Sequence, residues 1–599
     1  MKKFLLRVLH FARRIYKLIP IPKKLRMFIS KHFLSKIVWM NHLLFPQYIY
    51  FNRWIIENGY DNEGLEKQRN HRFENEPLIS IAVPMYNPRF EHVEELIDSI
   101  KNQTYINWEL CIADGSTTRD VKIEALCLSD NRIKYISLDG NKGIAGNTNE
   151  AIKKATGKYI GLIDHDDFLP PFSLYEIVKF INENPEAELI YTDETHYHKK
   201  RKKSFHNPHI KPDFSPDYLR TVNFICHFMI IKRSLFDKVG MLRSECDGSQ
   251  DFDFALRASE VVSKVYHIPK FLYHWRIHNE SFSNSEITPS RLAGKKAIED
   301  QLIRLGLKGK VKLPKDNVFY NVEYEVIGNP SVSIIIPNKD HIKLLKKCIK
   351  SIILLTTYKN YEIVIIENNS EQDKTFNYYR QLEKAHKNIR VLIYPEQGFN
   401  YSKLINYGVR NSSSDFIVQL NNDTVLRTPN WLELMIGFAQ RDDVGAVGAK
   451  MYYPDMSVQH AGVAVWHDGY ICYPIFLNLQ FSNPGYMHRV NCIQNHSIIT
   501  GACLMCRREL YEKVGFMDEN YSTAYNDADL CMKFRKMGLV NVYNPCVEFI
   551  HYESKTRGYE DTPEKKARFQ KESDFFRKRW REEIELGDPY FPNDISKMR

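Results

Sequence analysis

No aspartate or glutamate precedes Glu57 in this 599-residue chain, although the same opening stretch carries twelve lysines and arginines. Removing those twelve from the 84 basic residues leaves 72 against 73 acidic ones, so the net charge of +11 belongs to one segment. A neutral body disfavours nucleic-acid binding, which needs basic charge spread along a face. Long apolar runs are missing too. Within the opening segment the longest uncharged stretch, Ile37–Asn52, is broken by Asn41, His42, Pro46 and Gln47. It falls short of the roughly 20 apolar residues that a membrane span needs. There is no uninterrupted apolar core with a small-residue cleavage site, so secretion is not expected. The eleven cysteines form no framework, and the close pair Cys503 and Cys506 has no second pair to complete a zinc site. Buried, reduced thiols in the cytoplasm are the expectation.

The acid-free segment is patterned. At about 100° per residue, Phe4, Leu5, Val8, Leu9 and Ile15 share one half of a helical wheel, and Lys2, Lys3, Arg7, Arg13, Arg14 and Lys17 share the other. Such a helix suits the anionic inner face of the cell membrane, as a peripheral contact through residues 1–20. Docking on the protein's own body, or a targeting peptide, are the alternatives.

Beyond residue 76 the chain repeats itself. The run Leu78–Pro84 returns as Val332–Pro337, each a strand stopped by proline and followed by an amphipathic helix. A second strand ends in ADGS in one copy and ENNS in the other. Then GLIDHDDFLP lines up with VQLNNDTVLR, matching Asp164 to Asn421 and Asp166 to Asp423. From Ser80 to Asp166 is 86 positions and from Ser333 to Asp423 is 90. Short apolar runs alternating with helical stretches predict parallel α/β units. Carboxylates crowded at a strand end repel one another unless a cation sits among them. A solvated acidic turn is the plainer reading, but it gives no reason for a carboxylate to recur at the same strand end. Asp166 and Asp423 are therefore candidate ligands of Mg²⁺ or Mn²⁺, at the end of the sheet where ligands of open α/β folds bind.

A second acidic cluster follows in each copy, Asp251 and Asp253 in SQDFDF and Asp527 and Asp529 in YNDADL. An acid at a helix start favours the helix dipole, which accounts for one of each pair. The other is a candidate general base. Histidines come next, His274 at 23 positions after Asp251 and His551 at 24 after Asp527.

Taken together, VPMYN and IIPNKD, ADGS and IENNS, LIDHDD and LNNDT, GSQDFDFALR and YNDADLCMKF resemble the family 2 glycosyltransferases. The likeness is strongest to bacterial enzymes that build rhamnose-containing and other surface polysaccharides. The resemblance implies an α/β fold of two tandem GT-A-type domains, Rossmann-like with mostly parallel sheets, at 77–320 and 321–599. A basic helical region, 1–76, precedes them and a helical tail ends the second. It implies that Pro84, Tyr86, Asn87, Asp114 and Asp164, with Pro337, Asn338, Asn368 and Asn421, hold a nucleotide-sugar. Asp166, His274, Asp423 and His551 would hold the metal, and Asp251 and Asp527 would deprotonate the acceptor. The implied reaction is inverting transfer at two sites, with dTDP-L-rhamnose the favoured donor and a growing polysaccharide or lipid-linked oligosaccharide the acceptor. Two departures, Asn421 and Asn368 where acids often stand, leave open a second copy that only binds sugar or acts as scaffold. An aspartyl-phosphate phosphatase is a remote alternative, because its nucleophile would fall at Asn421.

Overall fold

The computed structural model describes residues 54–591, except 56, 199–204, 278–287, 315–318, 467–470 and 554–561. The basic N-terminal segment, expected from its pattern to be helical, lies outside the described residues. Among those described, no helix is long and apolar enough to cross a membrane.

Two sheets share one plan. The first contains β1 (Ile79–Met85), β2 (Trp108–Asp114), β3 (Ile133–Ser137), β4 (Tyr159–Leu162), β5 (Leu189–Tyr197), β6 (Phe205–His209), β7 (Met229–Lys232) and β8 (Val265–Arg276). A small antiparallel hairpin, β9 (Gly309–Lys312) and β10 (Asn321–Tyr324), follows. The second sheet is built on β11 (Val332–Asn338), β12 (Tyr361–Glu367), β13 (Ile389–Ile393), β14 (Phe416–Leu420), β15 (Thr424–Leu426) and β16 (Val444–Tyr452). Next come β17 (Val458–His460), β18 (Val463–Val465), β19 (Cys472–Pro474), β20 (Gln494–His496), β21 (Cys503–Arg507) and β22 (Val540–His551). Strand order is β3-β2-β1-β4-β7-β5, with β8 beside β5, and again β13-β12-β11-β14-β21-β16-β22. The first four strands of each sheet are parallel, whereas β7 and β21 run antiparallel to both neighbours. Along these orders each sheet is therefore mixed, with one antiparallel strand, β7 or β21, set among strands that run the same way.

The pattern follows from burial on both faces. All seven residues of β1 and of β2 are buried, as near-continuous apolar strands covered by helices must be. Helix Phe90–Lys101 turns Val93, Leu96, Ile97 and Ile100 inward, at the spacing of one helix face. Strand order reverses between β1 and β4, and between β11 and β14, so the crevice beyond their carboxyl ends is the natural ligand site.

At the opposite end of these strands a carboxylate, buried in the first copy and half-buried in the second, ties three elements together. Glu109 accepts from Ser80 Oγ at 2.6 Å and from Thr156 N at 2.5 Å, and pairs with Lys134 at 2.5 Å. Glu362 accepts from Ser333 Oγ at 2.6 Å and pairs with Arg390 at 2.8 Å. Burial alone would raise the Glu109 pKa, but Lys134, Ser80 and Thr156 hold it down from 4.5 to about 2. At 1.36 kcal/mol per unit that shift is worth roughly 3 kcal/mol. A depressed carboxylate stabilises the fold above pH 4.5, and the contribution is lost as pH falls toward 2. Urea midpoints measured from pH 5 to pH 2 should therefore fall more steeply for the native chain than for Glu109→Gln. Parallel curves would remove Glu109 from the acid response.

The boundaries expected from sequence need correction at both ends of the first domain. Residues from Trp54 onward already belong to it: the Tyr60 ring stacks on Phe172 at 3.7 Å and its hydroxyl donates to Glu176. The boundary at 320/321 falls inside the β9–β10 hairpin. Nor is the junction a loose tether. Arg441 of the second domain donates to both carboxylate oxygens of Asp217 in the first, at 2.5 and 3.4 Å, with both side chains at most 3 % exposed. Asn495 Nδ2 adds a bond to the same carboxylate at 2.8 Å, and Tyr486 OH donates to Pro208 O at 2.6 Å.

Candidate active site

Each site starts from the loop after β1 or β11. In the first domain Pro84 pairs with Ala113 and Met85 with Asp114 across the strands. Asp114 accepts from Ser116 N at 2.9 Å, from Ser116 Oγ at 2.5 Å and from Tyr135 OH at 2.8 Å. Asn87, in a left-handed conformation at φ 45°, donates from its main chain to Ser116 Oγ and accepts from Thr117 N. Tyr86 beside it is 43 % exposed. A Cβ on Gly115 would meet Asn147 Nδ2 at 2.9 Å, so the tight turn requires glycine there.

In the second domain Pro337 pairs with Ile366, and Asn338 pairs with Glu367. The counterpart of Asp114 is thus Glu367, one residue before Asn368. Glu367 accepts from Ser370 N at 2.5 Å, Ser370 Oγ at 2.7 Å and Tyr379 OH at 2.7 Å, repeating the bonds of Asp114. The carboxylate is retained, on a side chain one methylene longer. Asn338 spends its amide inside the protein, donating to Tyr379 OH and accepting from Asn422. Asn368 Oδ1 is buried without a hydrogen-bond partner at the strand's carboxyl end.

The acidic turns hold the register read from sequence. Tyr159 and Phe416 face equivalent residues of β1 and β11, which places Asp164 on Asn421 and Asp166 on Asp423. Ligand atoms of Asp164, Asp167 and His227 lie within 4.8 Å of one another. Asp167 is buried, accepting from Tyr273 OH at 2.5 Å and Arg276 N at 2.7 Å. Burial pushes the Asp167 carboxyl well up, and the charges of Asp166 and Asp164 push it further. Burial also raises Asp164, with His227 opposing and Asp166 reinforcing the rise. Two carboxylates destabilised by each other beside an imidazole suit a divalent cation. Asp166 stands outside this trio but adds its charge to both members.

His274 lies elsewhere. Its Nδ1 is 2.7 Å from Thr195 Oγ1, and burial lowers its pKa to about 3. The antiparallel bridge of Phe168 to His274, set against Thr424 with His551, makes Trp275 the counterpart of His551. Tyr273 and Trp275 both pack against the His227 ring, while His274 packs on Phe168, on the other side of the strand. The imidazole of the first site comes instead from the loop before β7. Buried Lys211 shapes that loop, donating to Ile225 O at 2.7 Å and to His227 O, and pairing with Glu194. In the second domain Asp423 Oδ1 and His551 Nε2 are 3.1 Å apart, with Asn421 Nδ2 3.4 Å from the same nitrogen. One carboxylate and one imidazole converge there.

The paired acids at the helix starts divide as their burial dictates. Asp253 is buried and ion-paired to Arg243 and Arg257. Asp529 is buried against Trp580 Nε1 at 2.9 Å, Arg579 and Lys533. These are structural pairs. Asp251 accepts from Asn223 Nδ2 at 2.8 Å and its charge reaches Asp164. Asp527 accepts from Gly501 N at 2.6 Å, and the charges of Asp527 and Asp423 both raise the buried Tyr401 hydroxyl. Asp251 thus lies close enough to act on Asp164, and Asp527 acts on Tyr401, whose hydroxyl is 3.3 Å from Asn421 Oδ1. The wall beside Asp527 is held from the C-terminal helix Pro563–Arg579, where Glu572 accepts from Ser522 N, Ser522 Oγ and Ala524 N. Glu572, Lys211 and His227 carried no motif signal. Glu367 was visible as the acid next to Asn368.

Comparison with known proteins agrees with this architecture. The model of the family described as glycosyl transferase family 2 matches residues 80–240 and 333–515, together more than half of the chain. The uncharacterized protein y4gI of Sinorhizobium fredii is 38 % identical over 87 % of this chain and 58 % of its own. The O-antigen biosynthesis protein RfbC of Myxococcus xanthus is 31 % identical over 82 % of this chain and 39 % of its own. The chain thus spans about half the length of these curated relatives. A crystal structure of S. aureus TarS 1-349 in complex with UDP is similar at 18 % identity, covering 38 % of this chain and 65 % of that one, with a TM-score of 0.31. The matched residues include Asp114, Asp164, Asp167 and His227 of the first candidate site and Glu367, Asn421 and Asp423 of the second, and the chain belongs to glycosyl transferase family 2, with two tandem GT-A-like domains.

Proposed function

We propose that the protein is an inverting glycosyltransferase with two active sites, moving sugars from nucleoside-diphosphate donors to a growing surface polysaccharide or lipid-linked oligosaccharide. The observation that carries this reading is the twice-built arrangement at the sheet switch point. In each domain a carboxylate of the strand-end turn and an imidazole meet, and a helix with an aspartate in its first turn follows that turn in the chain. The O-antigen relative supports a polysaccharide product, and the likeness to rhamnan-type enzymes favours dTDP-L-rhamnose as donor.

Asp164, Asp167 and His227 would hold a divalent cation in the first site, and Asp423 with His551 in the second. When bound, that cation supplies the positive charge that neutralises the leaving diphosphate. The loops around Asp114 and Glu367 are ordered by their own serine and tyrosine bonds before a donor arrives, which lowers the cost of binding. Asp251 and Asp527 accept the proton of the attacking hydroxyl, a poor nucleophile on its own. One displacement inverts the anomeric centre, and no second nucleophile is required.

The test is release of nucleoside diphosphate by the full chain across a donor screen with a lipid-linked acceptor. Transfer should depend on Mg²⁺ or Mn²⁺, stop with chelator and return when the ion is restored. Full activity in chelator would sink the metal assignment. The second reading, a second domain that only binds sugar, draws on Asn421 and on the smaller ligand set there. It predicts that Asp423→Ala leaves all products unchanged.

A further inference from the structure

We propose that Gln459 is a positioning residue for His551, fixing the nitrogen that meets the cation in the second site; the inference rests on the metal reading above. Gln459 lies on β17, at the outer side of β16 and far in sequence from every motif of the strand ends. Its Nε2 donates to Glu553 Oε2 at 3.0 Å, and its Oε1 is 3.2 Å from His551 Nδ1. A carboxylate only accepts, so Glu553 forces the amide nitrogen toward itself and the amide oxygen toward the imidazole. An amide oxygen also only accepts, so the hydrogen of the neutral ring is placed on Nδ1. The lone pair is thereby left on Nε2.

That lone pair points at Asp423 Oδ1, 3.1 Å away. Two acceptors facing each other at this distance repel, and a cation between them turns both into ligands. Asn421 Nδ2, 3.4 Å from the same nitrogen, donates only weakly across that gap. An outer partner that fixes the tautomer and ring angle of a metal-binding histidine is typically worth 10- to 100-fold in metal affinity. The first site takes its imidazole, His227, from another loop whose main chain is held by Lys211, and Gln459 lies in the second domain. The two sites should therefore respond differently to loss of Gln459.

The experiment uses the full chain and Mn²⁺ alone, with free Mn²⁺ read by electron paramagnetic resonance during titration. Asp423→Ala defines the share of binding that belongs to the second site. Gln459→Leu should weaken that share by about 10- to 100-fold, leave the remainder as in the native chain, and melt at the same temperature. Gln459→Glu combined with Glu553→Gln restores an acceptor toward Nδ1 and a donor behind it, and should recover affinity. Native Mn²⁺ affinity in Gln459→Leu overturns the positioning role while leaving the metal site standing. If Asp423→Ala itself removes no Mn²⁺ binding, the metal reading falls and the role of Gln459 falls with it.

Discussion

Asp251→Asn and Asp527→Asn should each lose about 10²- to 10⁴-fold in turnover at one site, the usual worth of a general base. Donor binding should change little, because the base acts on the acceptor hydroxyl. The two variants should stall at different products. The candidate sites differ in the residue at the strand end, Asp164 against Asn421, and in the source of the imidazole, His227 against His551. Mixing the two variants should restore some full-length product if the intermediate can leave one molecule and reach another. Product sizing by mass spectrometry after single-donor and mixed-donor reactions reads the result. Identical stalled products would make the second domain a scaffold. Activity dependent on Asp253 or Asp529 instead would contradict the structural pairs those residues form with Arg243, Arg257 and Trp580.

Asp217→Ala should cost about 3–5 kcal/mol, the usual penalty for breaking a buried ion pair from one side. It leaves the Arg441 guanidinium, 3 % exposed and lodged against Tyr324 and Phe438, with only the half-exposed Asp443 carboxylate at 2.7 Å. Arg220, 3.6 Å from the same carboxylate, loses it as well. Because the pair joins the two domains, the loss should lower the unfolding midpoint and hasten proteolysis at the junction between residues 309 and 330. Asp217→Asn keeps an acceptor toward Arg441 and should fall between the two. A native unfolding midpoint in Asp217→Ala would show that the junction does not depend on this pair. Two domains joined by buried charge hold their candidate sites at a fixed separation, which a flexible tether does not.

Much of the site was legible because strand ends punctuate a sequence. Proline, a run of acids and a helix-start pair recur at nearly constant spacing, and the strand pairings confirm that register at Asp164 and Asn421, and at Asp166 and Asp423. Composition likewise separated the basic N-terminal segment from a neutral body. The histidines show where such reading stops. Matching like to like joined His274 to His551, one position out of step, whereas the strand bridges pair His551 with Trp275. Side chains alternate along a strand, so a slip of one residue carries a ligand to the opposite face. The error is small in sequence and complete in space.

The sequence by itself determined the repeat, the α/β class, the carboxylates at both switch points and the paired acids at two helix starts. Hydrophobic periodicity and local turn chemistry act over a few residues, and they fix those features wherever the chain goes next. Only the tertiary structure decided that His227 serves the first site and that Glu367 replaces Asp114. It alone brought Gln459 behind His551, and Asp217 to Arg441 across 224 positions of chain. These choices depend on which side chains a folded sheet brings within about 3 Å, the reach of a hydrogen bond. That proximity is set by strand pairing between distant segments, which no local pattern encodes.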